Sequence, residues 1–266
     1  MITRRKFIEQ GLIFAASLQI SKGKALSLES EMRQKNGGRT DFHLNPDIDQ
    51  RFGEKCAESI HEIVTNMYKV PSQSVEEISK KMGYVKCPVF LKQTPQGLAE
   101  RFFSGQAITI GSLEENVFFL SAYHILKVLC HQPELELDNG SVYKNGKLLA
   151  YSTELDICLG IFQGESDNRN PVPFCKDPRN KDVVVLPSSA NGKPMLLGQI
   201  ISQNDSYVVA GVRVVKGHSG SVVISDGAVL GIIIEWVINP DSVHGKATKA
   251  NKIEELLRNY VAHYER

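Results

Sequence analysis

The sequence predicts a mainly β protein with helical segments before and after its strands. Three observations carry the prediction. From Cys87 onward, short apolar runs alternate with turn signals such as Asn139-Gly140 and Asn145-Gly146. The runs fall into two successive sets, separated by the polar stretch Gly164-Glu165-Ser166-Asp167-Asn168-Arg169-Asn170-Pro171. Sustained three-and-four spacing of apolar residues is confined to segments before residue 84 and after residue 251. Regular short strands with such turns favour barrels or sandwiches over a βαβ architecture.

Taken in order, Met1 to Ala25 reads as a signal peptide: a basic head at Arg4 and Arg5, an apolar stretch from Gly11 to Ile20, and a small-residue exit at Gly23-Lys24-Ala25. The stretch is too short to span a bilayer. Thr3-Arg4-Arg5-Lys6-Phe7-Ile8 resembles a twin-arginine export signal, which implies a periplasmic or secreted protein with no membrane span in the mature chain. An amphipathic helix or a cytoplasmic tail is the other reading. Residues 26–46 are polar, contain Asn36-Gly37-Gly38-Arg39 and read as a flexible linker.

Residues 47–84 form a helical segment. Ile48, Phe52, Cys56, Ile60, Ile63, Val64 and Met67 share one amphipathic face, ended by Pro71. A second, short helix is expected from Ser74 to Met82, with Ser74 and Glu77 as a capping box. His61-Glu62-Ile63-Val64-Thr65 begins like a zinc-protease motif but ends in threonine, so it does not predict a metal site. The first set of strands, over residues 85–165, is expected near 87–92, 105–110, 116–121, 134–137, 147–151 and 156–162. The second, over 166–250, is expected near 182–186, 195–202, 206–215, 221–224 and 228–237, with a closing hairpin. Ile253, Leu256, Leu257, Tyr260, Val261 and Tyr264 then predict a helix over 251–266.

Lys and Arg number 31 against 30 Asp and Glu, a balance with no nucleic-acid footprint. Hydrophobic content of 42% supports a real core. The five cysteines, Cys56, Cys87, Cys130, Cys158 and Cys175, include no Cys-x-x-Cys pair, and no cofactor or metal is indicated. Connectivity is open, the odd count leaves at least one free thiol, and Cys158 within its apolar strand reads as a packing residue.

The densest chemical signal is Gly217-His218-Ser219-Gly220-Ser221, a tight turn between apolar runs. Amides of Gly217 and Ser219 directed the same way would form an oxyanion pocket beside the Ser219 hydroxyl. A solvated hairpin turn would use the same residues. Upstream, Ser121-Ala122-Tyr123-His124 follows an apolar strand, and Asp156 heads the run Ile157-Cys158-Leu159-Gly160-Ile161. A serine needs a base, and the base an orienting acid.

These three segments, in this order, resemble the chymotrypsin-like serine proteases, especially the bacterial trypsin-like and HtrA-like branch. The resemblance covers about residues 100–247. It implies two antiparallel six-stranded β-barrels with the site between them, and a serine endopeptidase acting on protein or peptide substrates. Catalytic roles would fall to His124 as base, Asp156 as orienting acid and Ser219 as nucleophile, with the Gly217 and Ser219 amides as oxyanion hole. It also implies substrate binding by Arg213, Ile234, Glu235 and Trp236. Arg213 would favour an acidic side chain before the cut bond, although its alternation with Val212 and Val214 equally fits a solvent-facing strand position. Tyr123, His218 and Ser221 depart from the family pattern. The other function considered is a catalytically silent module of the same fold that binds a peptide or protein partner. An α/β-hydrolase requires a different motif and residue order.

The leader yields the first prediction. Replacing Arg4 and Arg5 with lysine retains the precursor inside the cell if the twin-arginine route is used. Normal appearance of the mature protein in the periplasm of that variant overturns the assignment.

Overall fold

The computed structural model describes residues 41–94, 97–127, 133–164, 171–189, 192, 194–239 and 242–265, and only the main chain at 87–103, 238, 239 and 242. The expected leader, residues 26–40 of the expected linker, the connection at 165–170 and Cys130 lie outside the described residues. The described chain is mainly β and builds two closed six-stranded antiparallel barrels with a C-terminal helix.

The first barrel uses β2 (Met82–Thr94), β3 (Gly97–Leu113), β4 (Asn116–Ala122), β5 (Glu134–Leu137), β6 (Val142–Ser152) and β7 (Ile157–Gln163) in the order β6-β5-β2-β3-β4-β7, closed by pairing of β6 with β7. A short strand, β1 (His43–Leu44), adds to β6 with His43 opposite Tyr151. Part of the expected linker is therefore docked. Its polar groups are satisfied there rather than by water: the Asn45 amide donates to Leu149 O at 3.0 Å, and Asn45 Nδ2 to Leu148 O at 2.8 Å.

The second barrel runs β10 (Tyr207–Ala210), β13 (Ser242–Lys249), β12 (Ala228–Asn239), β11 (Val222–Ser225), β8 (Asp182–Leu186) and β9 (Leu196–Gln203) before closing on β10. Its interior is built from Val183, Val185, Val208, Ala210, Val223, Leu230, Ile233 and Ala247. Alternate residues of β11, Val222 and Ile224, join the larger core on the other side, so this strand is buried on both faces. That burial explains its unbroken apolar sequence.

Helix α1 (Gln50–Asn66) starts at Asp49, whose carboxylate accepts from the Arg51 and Phe52 amides. It buries Cys56, Ala57, Ile60 and Val64. Helix α2 (Val75–Ser79) has the expected capping box, with the Ser74 amide donating to Glu77 at 2.8 Å and the Glu77 amide donating to Ser74 Oγ at 3.1 Å. It ends sooner than the sequence suggested, because Met82 already pairs with Ile108 in β2. Helix α3 (Tyr123–Lys127) follows β4 directly, and α4 (Ala250–Tyr264) buries Ile253, Leu256, Leu257, Tyr260 and Val261. The terminal helices pack closely: a Cβ on Gly53 of α1 would lie 2.1 Å from the Tyr264 ring. No helix among the described residues is long and apolar enough to cross a membrane.

Two expectations need correcting. Asn145-Gly146 is a bulge within β6, where the register to β7 shifts between Lys144 and Lys147, and not a hairpin turn. Asn145 has φ 53°, and a bulge can use the same left-handed residue that a hairpin turn does. The strand expected over 206–215 ends at Ala210. Val212 and Val214 remain buried in the second core, but their amides bond two residues back, to Ala210 O and Val212 O, instead of joining the sheet.

Candidate active site

Asp156 stands immediately before β7 in a left-handed conformation, φ 51°, which aspartate tolerates better than most residues. Its carbonyl accepts from the Tyr123 amide at 2.9 Å, and its carboxylate Oδ1 accepts from the His124 amide at 2.8 Å. These bonds hold the head of β7 against the start of α3. The second carboxylate oxygen, Oδ2, lies 2.6 Å from His124 Nδ1. An ionised carboxylate only accepts, so in this contact Nδ1 is the donor. The two side chains stay 40% and 25% exposed to solvent.

The loop that carries Asp156 is tied from several directions. Asp41 Oδ1 accepts from Ser152 Oγ at 2.9 Å and from the Glu154 amide at 3.1 Å, and Thr153 Oγ1 bonds to Oδ2. Burial pushes the Asp41 carboxyl up, but the bonds from Thr153, the Glu154 amide, Ser152 and His43 outweigh it and leave it below its ordinary value. From the second barrel, Thr248 Oγ1 donates to Leu155 O at 2.7 Å and the Tyr207 hydroxyl to Glu154 O at 3.0 Å. Tyr123, unusual before the histidine, stacks on Tyr151 with ring centres 4.3 Å apart, and Tyr151 stacks in turn on His43.

Ser219 lies in the turn between Val215 and β11. Its carbonyl accepts from the Gln106 amide of β3 at 2.7 Å. The Gly220 amide donates to Ile233 O at 2.7 Å, and the Ile233 amide to Ser221 O at 2.8 Å, so the turn is also bound to β12. The His218 carbonyl accepts from the Ser221 amide at 2.9 Å. In a trans peptide the N–H opposes the carbonyl, so the Ser219 N–H is directed away from this bond. It donates to no acceptor among the described residues. His218 is buried, and its Nδ1 lies 3.2 Å from the Val215 amide and 3.1 Å from the Val215 carbonyl oxygen.

Gly105 relates this turn to the histidine helix. A Cβ there would lie 2.1 Å from Ile125 Cδ1 and 3.1 Å from Ser219 O. The residue after His124 and the main chain of Ser219 thus converge on one glycine of β3. The remaining expected residues sit nearby in sequence but differ in exposure. Arg213 and Trp236 are exposed, Glu235 is paired with Lys246 at 3.2 Å, and Ile234 is buried in a bulge where β13 pairs with Ile233 and Glu235 but skips it.

Sequence reasoning missed Gln106, Asp41, Thr248 and Tyr207. Gln106 left a faint signal, a carboxamide inside the run Gly105-Gln106-Ala107-Ile108-Thr109-Ile110. Among the described residues no cluster of three His, Cys, Asp or Glu is placed to hold a metal ion. Cys56, Cys158 and Cys175 are free thiols; burial pushes Cys56 and Cys175 up to about 11 and Cys158 higher still. No protein-family model matches the chain, and no curated protein does.

The Asp41 clamp gives a pH-dependent prediction. A carboxyl whose folded pKa is depressed adds stability above its unfolded value, near 4, and that stability is lost as pH falls through the folded value. Asp41→Ala is expected to cost about 1–2 kcal/mol near neutral pH, and the gap to the native protein is expected to close in acid. Denaturant melts across that range check it, and a gap that persists in acid shows that the clamp does not depend on the charge.

Proposed function

We propose that the chain is a serine endopeptidase. The observation that carries the reading is the His124 Nδ1–Asp156 Oδ2 bond of 2.6 Å; with it goes a glycine-bounded turn whose Ser219 N–H donates to no acceptor among the described residues and whose Ser219 carbonyl meets, at Gly105, the residue after His124. In this reading Asp156 fixes the imidazole tautomer, and His124 Nε2 removes the Ser219 proton as Oγ attacks the scissile carbonyl. The amides of Ser219 and Gly217 receive the developing oxyanion, a contribution of about 3–4 kcal/mol for one such donor. The proton then passes from His124 to the leaving amine, and water, activated by the same histidine, releases the acyl group. Its supports are the two-barrel fold, the placement of the base in the first barrel and the turn in the second, and the basic, then apolar, leader that favours export.

Ser219→Ala and His124→Ala are each expected to lower kcat by roughly 10⁴-fold or more. Asp156→Asn should be comparably damaging, because the imidazole then takes the wrong tautomer. The rate should fall in acid as the base becomes protonated. Labelling by a fluorophosphonate probe, lost in Ser219→Ala, separates an active enzyme from a silent binding module. A native protein that is neither labelled nor active on any peptide in a broad library sinks the proposal.

Specificity is open to the same library. Enrichment of acidic residues before the cut bond, lost in Arg213→Ala, places that guanidinium in the substrate pocket. A preference for small aliphatic residues, unmoved by the substitution, assigns Arg213 to the surface.

A further inference from the structure

Gln106 is fully buried, yet its carboxamide is satisfied at both ends. Nε2 donates to Gly217 O at 2.8 Å, and Oε1 accepts from the Ser188 amide at 2.7 Å. Its main chain is engaged as well, the amide donating to Ser219 O at 2.7 Å and the carbonyl accepting from Ser121 Oγ at 2.7 Å. One residue of the first barrel therefore bonds two carbonyls of the turn and the segment that follows β8. Ser188 is anchored in its turn, its hydroxyl donating to Asp138 Oδ1 at 2.5 Å and the next amide, Ser189, to Asp138 Oδ2 at 2.9 Å.

Consider what each bond fixes. A peptide plane held at its carbonyl cannot rotate its N–H freely. The 217–218 peptide is held by the Gln106 side chain, the 218–219 peptide by the Ser221 amide, and the 219–220 peptide by the Gln106 amide. Gly217 has φ 96°, in the left-handed region, so its carbonyl and amide directions are set by a conformation that the chain does not choose by default. Without a donor at Gly217 O, a partly buried carbonyl is left to seek another partner by turning the plane. An apolar residue of equal size would fill the volume but hold neither end.

The geometry points to Gln106 as a positioning residue for the oxyanion site: its side-chain bond to Gly217 O fixes the 217–218 peptide plane, whose own N–H donates to Val215 O, and through that plane sets the relative orientation of the flanking Gly217 and Ser219 amides that receive the negative charge. The inference rests on the proposed role of Ser219. It acts through the turn and does not touch substrate, so its effect falls on the transition state rather than on binding.

Two measurements on Gln106→Met, which keeps length and volume but loses both bonds, test it. Hydrogen exchange of the Gly217–Gly220 amides is expected to quicken about tenfold or more, while amides of β8 and β12 keep their rates. In peptide hydrolysis kcat is expected to fall roughly 10–100-fold with KM within about twofold, and affinity for a peptide boronate to fall in step. If Gln106→Met does not fold, Gln106→Asn retains the amide but draws it back one methylene from Gly217 O. Unchanged exchange in the turn, or a loss carried by KM alone, overturns the inference. A native chain that hydrolyses nothing sinks the protease reading, and the exchange measurement then still decides whether Gln106 holds the turn.

Discussion

At Gly220 the chain of the second barrel passes so close to β3 that a Cβ would sit 1.8 Å from Gln106 O and 3.0 Å from Ser121 Oγ. With φ at 86° as well, no other residue enters without moving backbone. The contact matters because both barrels are closed. A closed sheet has no free edge to pair with a neighbour, so joining two of them falls to loops and bulges. One such joint is the 217–221 turn, bonded on one side to Gln106 of the first barrel and on the other to Ile233 of the second. The bulge in β12 after Ile233 lies where that bond is made. The contacts that join the barrels here are also the contacts that hold the Ser219 turn.

His124 and Asp156 are held by a different balance. Asp156 in the left-handed region costs about 1–2 kcal/mol against an ordinary conformation. Each hydrogen bond around it returns about 1 kcal/mol net, and those to the charged carboxylate somewhat more. The bonds from Tyr123 and His124 alone match the strain, and the ties at Leu155 and Glu154 from Thr248 and Tyr207 add to them. The second barrel thus helps to hold the loop that carries Asp156. Asp41 closes the loop from the N-terminal side, which gives the docked residues 41–44 a role beyond extending a sheet.

Much of the architecture was legible because it is written in local patterns. Alternation and turn residues located most strands, the spacing of Cys56, Ile60 and Val64 located α1, and Ser74 with Glu77 located the start of α2. What misled was chemistry shared by two local structures. Asn145-Gly146 suits a turn and a bulge alike, and Val212 and Val214 are buried whether or not their main chain joins a ladder. At the site, His124, Asp156 and the Ser219 turn stood out by residue type and order, and the structure brings the first two into direct contact. Gln106 and Asp41 did not stand out, since Gly217 and Ser152, to which they bond, each lie 111 residues away and no local pattern announces a bond of that range.

The distribution of burial around the site follows from what its parts must do in the proposed chemistry. An imidazole that takes a proton from the nucleophile and later gives it to a leaving group must meet both, and His124 keeps 40% of its side chain exposed. Amides that receive a growing negative charge gain most when they are already oriented and do not rearrange as the charge appears. Around Ser219 the chain is correspondingly closed in: His218, Gly220 and Ser221 are buried, and Ser219 itself is only partly exposed. Burying so many polar groups would be unfavourable if they were left unpaired. The turn meets that requirement for its carbonyls, those of Gly217, His218, Ser219 and Ser221 accepting from Gln106 Nε2 and the Ser221, Gln106 and Ile233 amides, while Ser221 Oγ is buried with no hydrogen-bond partner among the described residues; the same bonds remove the freedom that an oxyanion pocket cannot tolerate. Satisfying the buried backbone and orienting the pocket are therefore the same structural problem, solved by the same few contacts.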